Sequence, residues 1–374
     1  MRHLLSLVTL AAASLPVAAN AADCKDLPGP VIYGLGGSAQ KPLLAKVATA
    51  LGKASPPLTV VYSAPGACNG INGLLAGTKI TGTANYWDAA GKEQSCTLPL
   101  AGEDIDFASM GNDAVTCPGV AGLPADVGDF LGPVNHFTLV VPRASSQLSI
   151  SANAAYFVFG FGQQGQVTPW TDDSQIFRRD ALSAAQLFIA KAANIPPEKF
   201  KGIDTKTNTG TVAAVAQSPK PEAAIGLVGG EVADANRATV RILAYQHRGQ
   251  SCAVYPDSTE ASFDKKNIRN GRYFIWAPIH FFAKVNGAGA IVDADVARFV
   301  GHFTGAVPPP EGVDIERLSI EAGTVPRCAM QVWRDRDLGP TRPYTPEQPC
   351  GCFFDQITTG QTSCTPCTDS AACS

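Results

Sequence analysis

The chain alternates short apolar runs with polar, glycine-bearing turns, and most turns are followed by a stretch with helical spacing. Gly29-Pro-Val-Ile-Tyr-Gly34 reads as a buried strand that enters Leu35-Gly-Gly-Ser38. A helix with Leu43, Leu44, Val47, Ala48 and Leu51 on one face follows. The unit repeats: Leu58–Tyr62 is a β-rich run, Ser63–Gly70 a turn, and Ile71, Leu74 and Leu75 begin a second helix. A third run, Ile105–Ser109, ends at Met110-Gly-Asn-Asp113. Three strands ending in such turns predict an α/β lobe with ligand groups at their carboxyl ends. Between the second and third, Ala84–Cys96 reads as a hairpin turning near Ala90-Gly91, with Tyr86 and Trp87 as packing aromatics.

Phe137–Pro142 is the next strong strand and opens a second α/β block, through Tyr156–Gly160 and Trp170. Ala223–Gly229 and Thr239–Tyr245 read as its later strands. Asn270–Phe282, the most aromatic stretch, predicts a strand returning to the core of the first lobe. His280, flanked there by Ile and Phe, reads as a satisfied buried histidine. Helices are expected around Ala290–Thr304 and Ile315–Ala322, with Pro308–Pro310 as a linker. The resulting division is a targeting segment at 1–21, the first part of lobe 1 at 22–139 and lobe 2 at 140–245. Lobe 1 and its C-terminal helices return at 246–345, and 346–374 is a Cys-rich tail.

One segment concentrates the candidate chemistry. In Gln175-Ile-Phe-Arg-Arg-Asp-Ala-Leu-Ser-Ala-Ala-Gln186, Ser183 and Gln186 have capping-box spacing. Leu182 and Leu187 stand where a hydrophobic staple would fix the same helix start. The first N–H groups of a helix lack intrahelical partners, and that end carries a partial positive charge. Arg179, four residues before the cap, would add a guanidinium fork. Cation, hydroxyl and free amides together make an oxyanion site.

Composition limits the alternatives. With 45% hydrophobic and 16% charged residues and a net charge of −3, the 374-residue chain is globular, and no basic excess points to nucleic acid. Met1-Arg2-His3, the apolar Leu4–Pro16 and Ala19-Asn-Ala21 form a secretory signal cleaved before Ala22, and no later stretch would span a bilayer. Export makes the eleven cysteines disulfides before metal ligands, and the odd number leaves one thiol free or paired between chains. Neither a metal nor a cofactor is expected. The absence of G-x-S-x-G and H-E-x-x-H argues against a hydrolase.

Taken in order, these turns, the Arg179-x-x-x-Ser183 motif and the Tyr273-Phe-Ile-Trp-Ala-Pro278 return strand resemble the type II periplasmic-binding-protein superfamily. Within it the likeness is to the phosphate-binding receptors of ABC transporters and their diverged secreted relatives, over roughly residues 28 to 285. The resemblance implies two doubly wound α/β lobes joined by crossover strands. It implies an oxyanion, phosphate or phosphate-like, held between the lobes by Ser38, Ala67, Asp113, Arg179, Ser183, Ala184 and Ala185. Asp113 would accept the proton of a protonated anion. Ala67 stands where the family has serine, and Ala184 and Ala185 stand in place of Gly-Thr, so two hydroxyls are missing. At about 1.5–3 kcal/mol per bond to a charged group, that weakens phosphate binding by roughly two to four decades. The implied function is a non-enzymatic periplasmic or secreted receptor for ABC-type uptake, with a permease as partner. The alternative is a cell-surface structural or interaction protein that kept the fold and lost the anion.

Overall fold

The computed structural model describes residues 22–361. The expected signal segment, Cys364, Cys367 and Cys373 lie outside the described residues. The predicted strand–turn–helix units are present: Val31–Gly36, Thr59–Ser63 and Phe107–Met110 run parallel as neighbours. Lys41–Lys53 and Ala67–Ala76 are their crossover helices. Leu43, Leu44, Val47, Ala48 and Leu51 are the buried face of the first helix, as their spacing predicts. They pack in one cluster with Phe107, Phe281 and Phe299. The hairpin is Thr83–Trp87 against Glu93–Thr97, with Gly91 at φ +78° in its turn. Trp87 is buried in that cluster and Tyr86 half-buried against another, which makes both packing residues.

All these strands belong to one twelve-stranded sheet that continues through Trp276–Lys284 and Val127–Pro142 to Ile225–Gly229, Ile176–Arg178 and Ile203–Asp204. Val127–Pro142 joins the two halves. Its first part pairs antiparallel with Trp276–Lys284, and its end pairs with Ile225–Gly229 and Val240–Ile242. The apolar pattern foretells only residues 137–142 of this 16-residue strand. Gly128, Asp129, Gly132, Pro133, Asn135 and His136 interrupt the run before them, and the ladder to the return strand overrides local propensity there. Tyr156–Gly160 lies in a helix, Ala152–Phe161, whose N-cap Ser151 accepts a bond from the Ala154 amide at 3.1 Å. Thr239–Tyr245 divides into two short strands, Val240–Ile242 and Ala244–Gln246. The two later helices fall at Ala294–Thr304 and Ile315–Glu321.

Three disulfides are described: Cys24–Cys96, Cys68–Cys117 and Cys328–Cys350. Cys352 is also disulfide-bonded, and Cys252 is a free, exposed thiol. The start of the cysteine-rich stretch is therefore stapled to the body. It continues into a helix, Gly351–Thr359, that buries Phe354. Among the described residues no helix is long and apolar enough to cross a membrane, and no group of three or more His, Cys, Asp or Glu is placed to hold a metal ion.

Candidate functional site

The site is built where strand ends and helix mouths converge. Gly36 ends the first strand so close to Phe107–Met110 that a Cβ would overlap the Ser109 carbonyl. Gly70 plays the same part in the second helix. A Cβ there would lie 2.5 Å from the Leu35 carbonyl oxygen and 2.7 Å from the Gly36 Cα. Only glycine lets Ala67–Ala76 sit directly on the end of the first strand. Ser38 opens a short 3-10 turn, Ser38–Gln40, ahead of the first helix and is half-buried. Ala67 is the first residue of the second helix and is buried.

The segment predicted to carry the chemistry meets these turns. The Cys68 amide, in the first turn of the second helix, donates to the Leu182 carbonyl at 3.2 Å. That bond ties the mouth of one helix to the residue before Ser183. Ser183 is the N-cap of Ala184–Ala193, and its hydroxyl accepts from the Gln186 amide at 3.3 Å. Half of the predicted capping box forms: the Gln186 side chain donates to the Pro197 carbonyl at 2.7 Å instead of returning to the cap. Ser183, Ala184 and Ala185 are buried. The amides of Ala184 and Ala185, first in their helix, have no intrahelical acceptor.

Arg179 is 4% exposed. Its Nη1 donates to Asn208 Oδ1 at 2.7 Å and its Nη2 to the Lys206 carbonyl at 2.8 Å, while Nε has no partner. Among the described residues its only carboxylate within 4.0 Å is that of Asp180, at 3.8 Å. Burial pushes its pKa down, with Asp180 and Asp204 opposing, and an arginine stays charged even so. The neighbouring Arg178 is half-buried and bonds the Gly202 and Arg179 carbonyls at 3.2 and 3.0 Å.

Asp113 is placed differently. Its carboxylate accepts from the Val115 amide at 3.2 Å, capping its own turn, and its amide donates to Asp337 Oδ2 at 2.7 Å. The carboxylate is thus engaged locally. The structure brings together the segments of Ser38, Ala67 and Ser183, and gives Asp113 a capping part at their edge.

Sequence reading missed the groups behind these residues. Asn208 holds both Arg179 and the Gly229 amide, at 2.7 and 3.3 Å, from 29 residues further along. Gln40 is fully buried and, with its amide oriented to satisfy its neighbours, donates to the Gly37 carbonyl at 3.1 Å and accepts from the Gly111 amide at 3.2 Å. Asn135, on the crossover strand and 2% exposed, has both amide atoms unpartnered. Ser109 Oγ and Asn112 Oδ1 are also unpartnered. No local signal marks any of them, because each acquires its part only through sheet pairing or a distant turn.

His280 is buried as its surroundings predict, but only half satisfied: Nδ1 is bonded, while Nε2 has no hydrogen-bond partner and lies 3.9 Å from Asp337. Its Nδ1 lies 2.9 Å from both Asp129 oxygens, and its ring stacks on Phe282. Burial opposes the charge, but Asp129 and the more distant Asp337 outweigh it and raise the pKa to about 10. A folded pKa above the unfolded value of about 6.5 gives stabilisation that is complete below that pH and lost as pH rises through about 10. His280→Gln is expected to lose that part of the alkaline slope. The stability gap between wild type and variant, read by urea denaturation, should close by roughly 4 kcal/mol between about pH 6 and pH 10.

The paired strand–helix units, the shared crossover strand and the helix mouths gathered at strand ends define a two-lobed α/β binding-protein fold of the type II periplasmic class. A solved structure from Clostridium perfringens, described as a phosphate ABC transporter substrate-binding protein with bound phosphate, superposes at a TM-score of 0.54 and 12% identity. The match covers 79% of this chain and 99% of that one. An ABC-type phosphate transport receptor from Vibrio cholerae matches at a TM-score of 0.49 and 14% identity, over 79% of this chain and 99% of its own. At 12% identity the likeness to the Clostridium perfringens structure shows the fold alone. No protein-family model and no curated protein matches the sequence.

Proposed function

We propose that this chain is an exported solute receptor that closes its lobes over phosphate or a similar oxyanion, for uptake through an ABC-type permease. The observation that carries the reading is Arg179: a buried guanidinium with an unpartnered Nε and no carboxylate in hydrogen-bonding range. A buried cation whose nearest carboxylate, Asp180, stays 3.8 Å away is only partly compensated, and an anion bonded to it lowers the remaining cost. The two free amides opening Ala184–Ala193 and the positive end of that helix add to the attraction. Ser38 and Ser183 contribute hydroxyls, and Ala67, Ala184 and Ala185 contribute amides. Asp113 rims the site through its turn. Bending at the crossover strand, Val127–Pro142, would part these segments to admit the anion and let them close on it again. The likeness to a phosphate-binding receptor supports the same reading.

A thermal-shift panel of phosphate, arsenate, sulfate and organophosphates on anion-free protein tests it. Phosphate at about 100 times its dissociation constant adds roughly 2.7 kcal/mol and raises Tm by a few degrees. Restoring a hydroxyl with Ala67→Ser is expected to tighten phosphate roughly tenfold. If no anion at millimolar concentration moves the transition, the second reading stands: a surface protein that kept the fold without the ligand. The bond from the Cys68 amide to the Leu182 carbonyl favours that second reading, because it occupies an amide at one helix mouth.

A further inference from the structure

The helix Ala152–Phe161 is apolar on both sides. Its inner residues Ala155, Val158 and Phe159 are buried in the core, where the Phe159 and Phe200 ring centroids lie 5.7 Å apart. Its outer side carries Tyr156, Phe157 and Phe161, with ring centroids 5.2, 5.4 and 5.7 Å from one another. Phe157 and Phe161 are 44% and 40% exposed. A surface helix ordinarily keeps its outward face polar, and a contiguous apolar patch marks a place of contact. Gly160 stands among these rings on the helix surface. A Cβ there would meet only Ile195, at an ordinary 3.6 Å, so the interior does not require glycine. Its lack of a side chain leaves a recess beside the three rings.

The charges around this face point to what covers it. Between Arg143 and Asp172 the sequence has no charged residue, so nothing on the helix repels an identical face or calls for an anionic lipid. One cation and one anion stand at its opposite ends. At the first turn, the exposed Arg248 reaches Asn153 Oδ1 at 3.5 Å and the Ala193 carbonyl at 3.0 Å. Past the last turn, the exposed Asp173 accepts from the Gln163 amide at 2.7 Å. The adjacent Asp172 is held by Lys220 at 2.7 Å, but among the described residues neither Asp173 nor Arg248 has an opposite charge within 4.0 Å. That holds for Asp173 even though the Lys201 chain passes the same end of the helix. At 1.5 Å per residue, the two ends lie about 12 Å apart along the axis. We propose that this face pairs with the same face of a second copy of the chain, the two helices antiparallel about a twofold axis. Antiparallel pairing lays Arg248 of one copy beside Asp173 of the other, twice, and seats a ring of each in the recess of the other. Three rings a side fall short of the roughly 800 Å² per partner of a standard stable interface, so the pair is a weak one.

The test is sedimentation equilibrium of the full mature chain from about 1 µM to about 500 µM, a range that spans weak association. Every sample carries Cys252→Ser, because the free, exposed thiol could otherwise make dimers through a disulfide. A concentration-dependent dimer is expected. Phe157→Gln/Phe161→Gln, which replaces exposed rings and leaves the inner face intact, is expected to weaken it by roughly tenfold or more. Arg248→Glu and Asp173→Lys are each expected to weaken it, and the two together to restore it. Urea denaturation checks that each variant is folded. Arg179→Met is expected to dimerise as the parent does, so failure here and failure of the oxyanion reading are separable. A monomer at every concentration overturns the proposal. So does a dimer that the paired phenylalanine substitutions leave unchanged, or a charge swap that recovers nothing. Flotation of a monomer with phosphatidylcholine vesicles, abolished by the same phenylalanine substitutions, would assign the face to a membrane and overturn it too.

Discussion

Arg179→Met is expected to weaken phosphate binding by roughly 10²- to 10⁴-fold while leaving the fold intact. Two charge-assisted bonds at about 1.5–3 kcal/mol each set that range. The effect on stability without anion is expected to be small because two terms oppose. The variant no longer buries a cation with no bonded carboxylate, but it leaves Asn208 Oδ1 and the Lys206 carbonyl without their donor. Each orphaned acceptor costs about 1–3 kcal/mol, the same order as the relief. Arg179→Lys keeps the charge yet cannot reach Asn208, Lys206 and an anion at once, so it recovers only part of the affinity. Calorimetric titration with phosphate beside urea denaturation separates the two effects. A variant that binds phosphate as tightly as wild type would remove Arg179 from the site.

The second large effect concerns the disulfide Cys68–Cys117. It fastens the first turn of Ala67–Ala76 to the turn after Asp113, so it joins two segments that frame the site. Its partners are 49 residues apart, and the loop-closure model assigns such a cross-link about 4 kcal/mol through the unfolded state. The Cys68→Ala/Cys117→Ala double variant is expected to lose about that much in chemical denaturation. Removing Cys328–Cys350, whose partners are 22 residues apart, is expected to cost about 3 kcal/mol and to leave the helix mouths in place. An unchanged denaturation midpoint in the first variant would mean that the 68–117 segment is already ordered when unfolded. Disulfides that bear so much of the stability fit an oxidising compartment.

The fold was legible where a periodic pattern had one burial reason behind it. The five apolar positions of the first helix are all buried, and the three glycine turns all fall at strand ends. The crossover strand was legible only in its last third, because Asn135 and His136 sit inside the ladder as buried polar groups. His136 shows why such residues are tolerated. It packs so tightly against Gly230 that a Cβ there would overlap its ring, and burial, together with the Lys265 charge, lowers its pKa to about 3, so it stays neutral. At the candidate site, the cap at Ser183 followed from one short segment. Asn208, Gln40 and Asp337 did not, since their contacts with Arg179, Gly111 and Asp113 form only across the folded chain. Asp113 was read as a ligand from resemblance, and its Oδ1 also accepts from the Val115 amide in the turn that follows.

The most direct test is diffraction from crystals of anion-free protein grown with and without phosphate. The account predicts a tetrahedral ion appearing only with phosphate, within hydrogen-bonding distance of Arg179 Nε and of the Ala184 and Ala185 amides. An ordered site that stays free of the ion at saturating phosphate, with Arg179 still bonded only to Asn208 and Lys206, would contradict it.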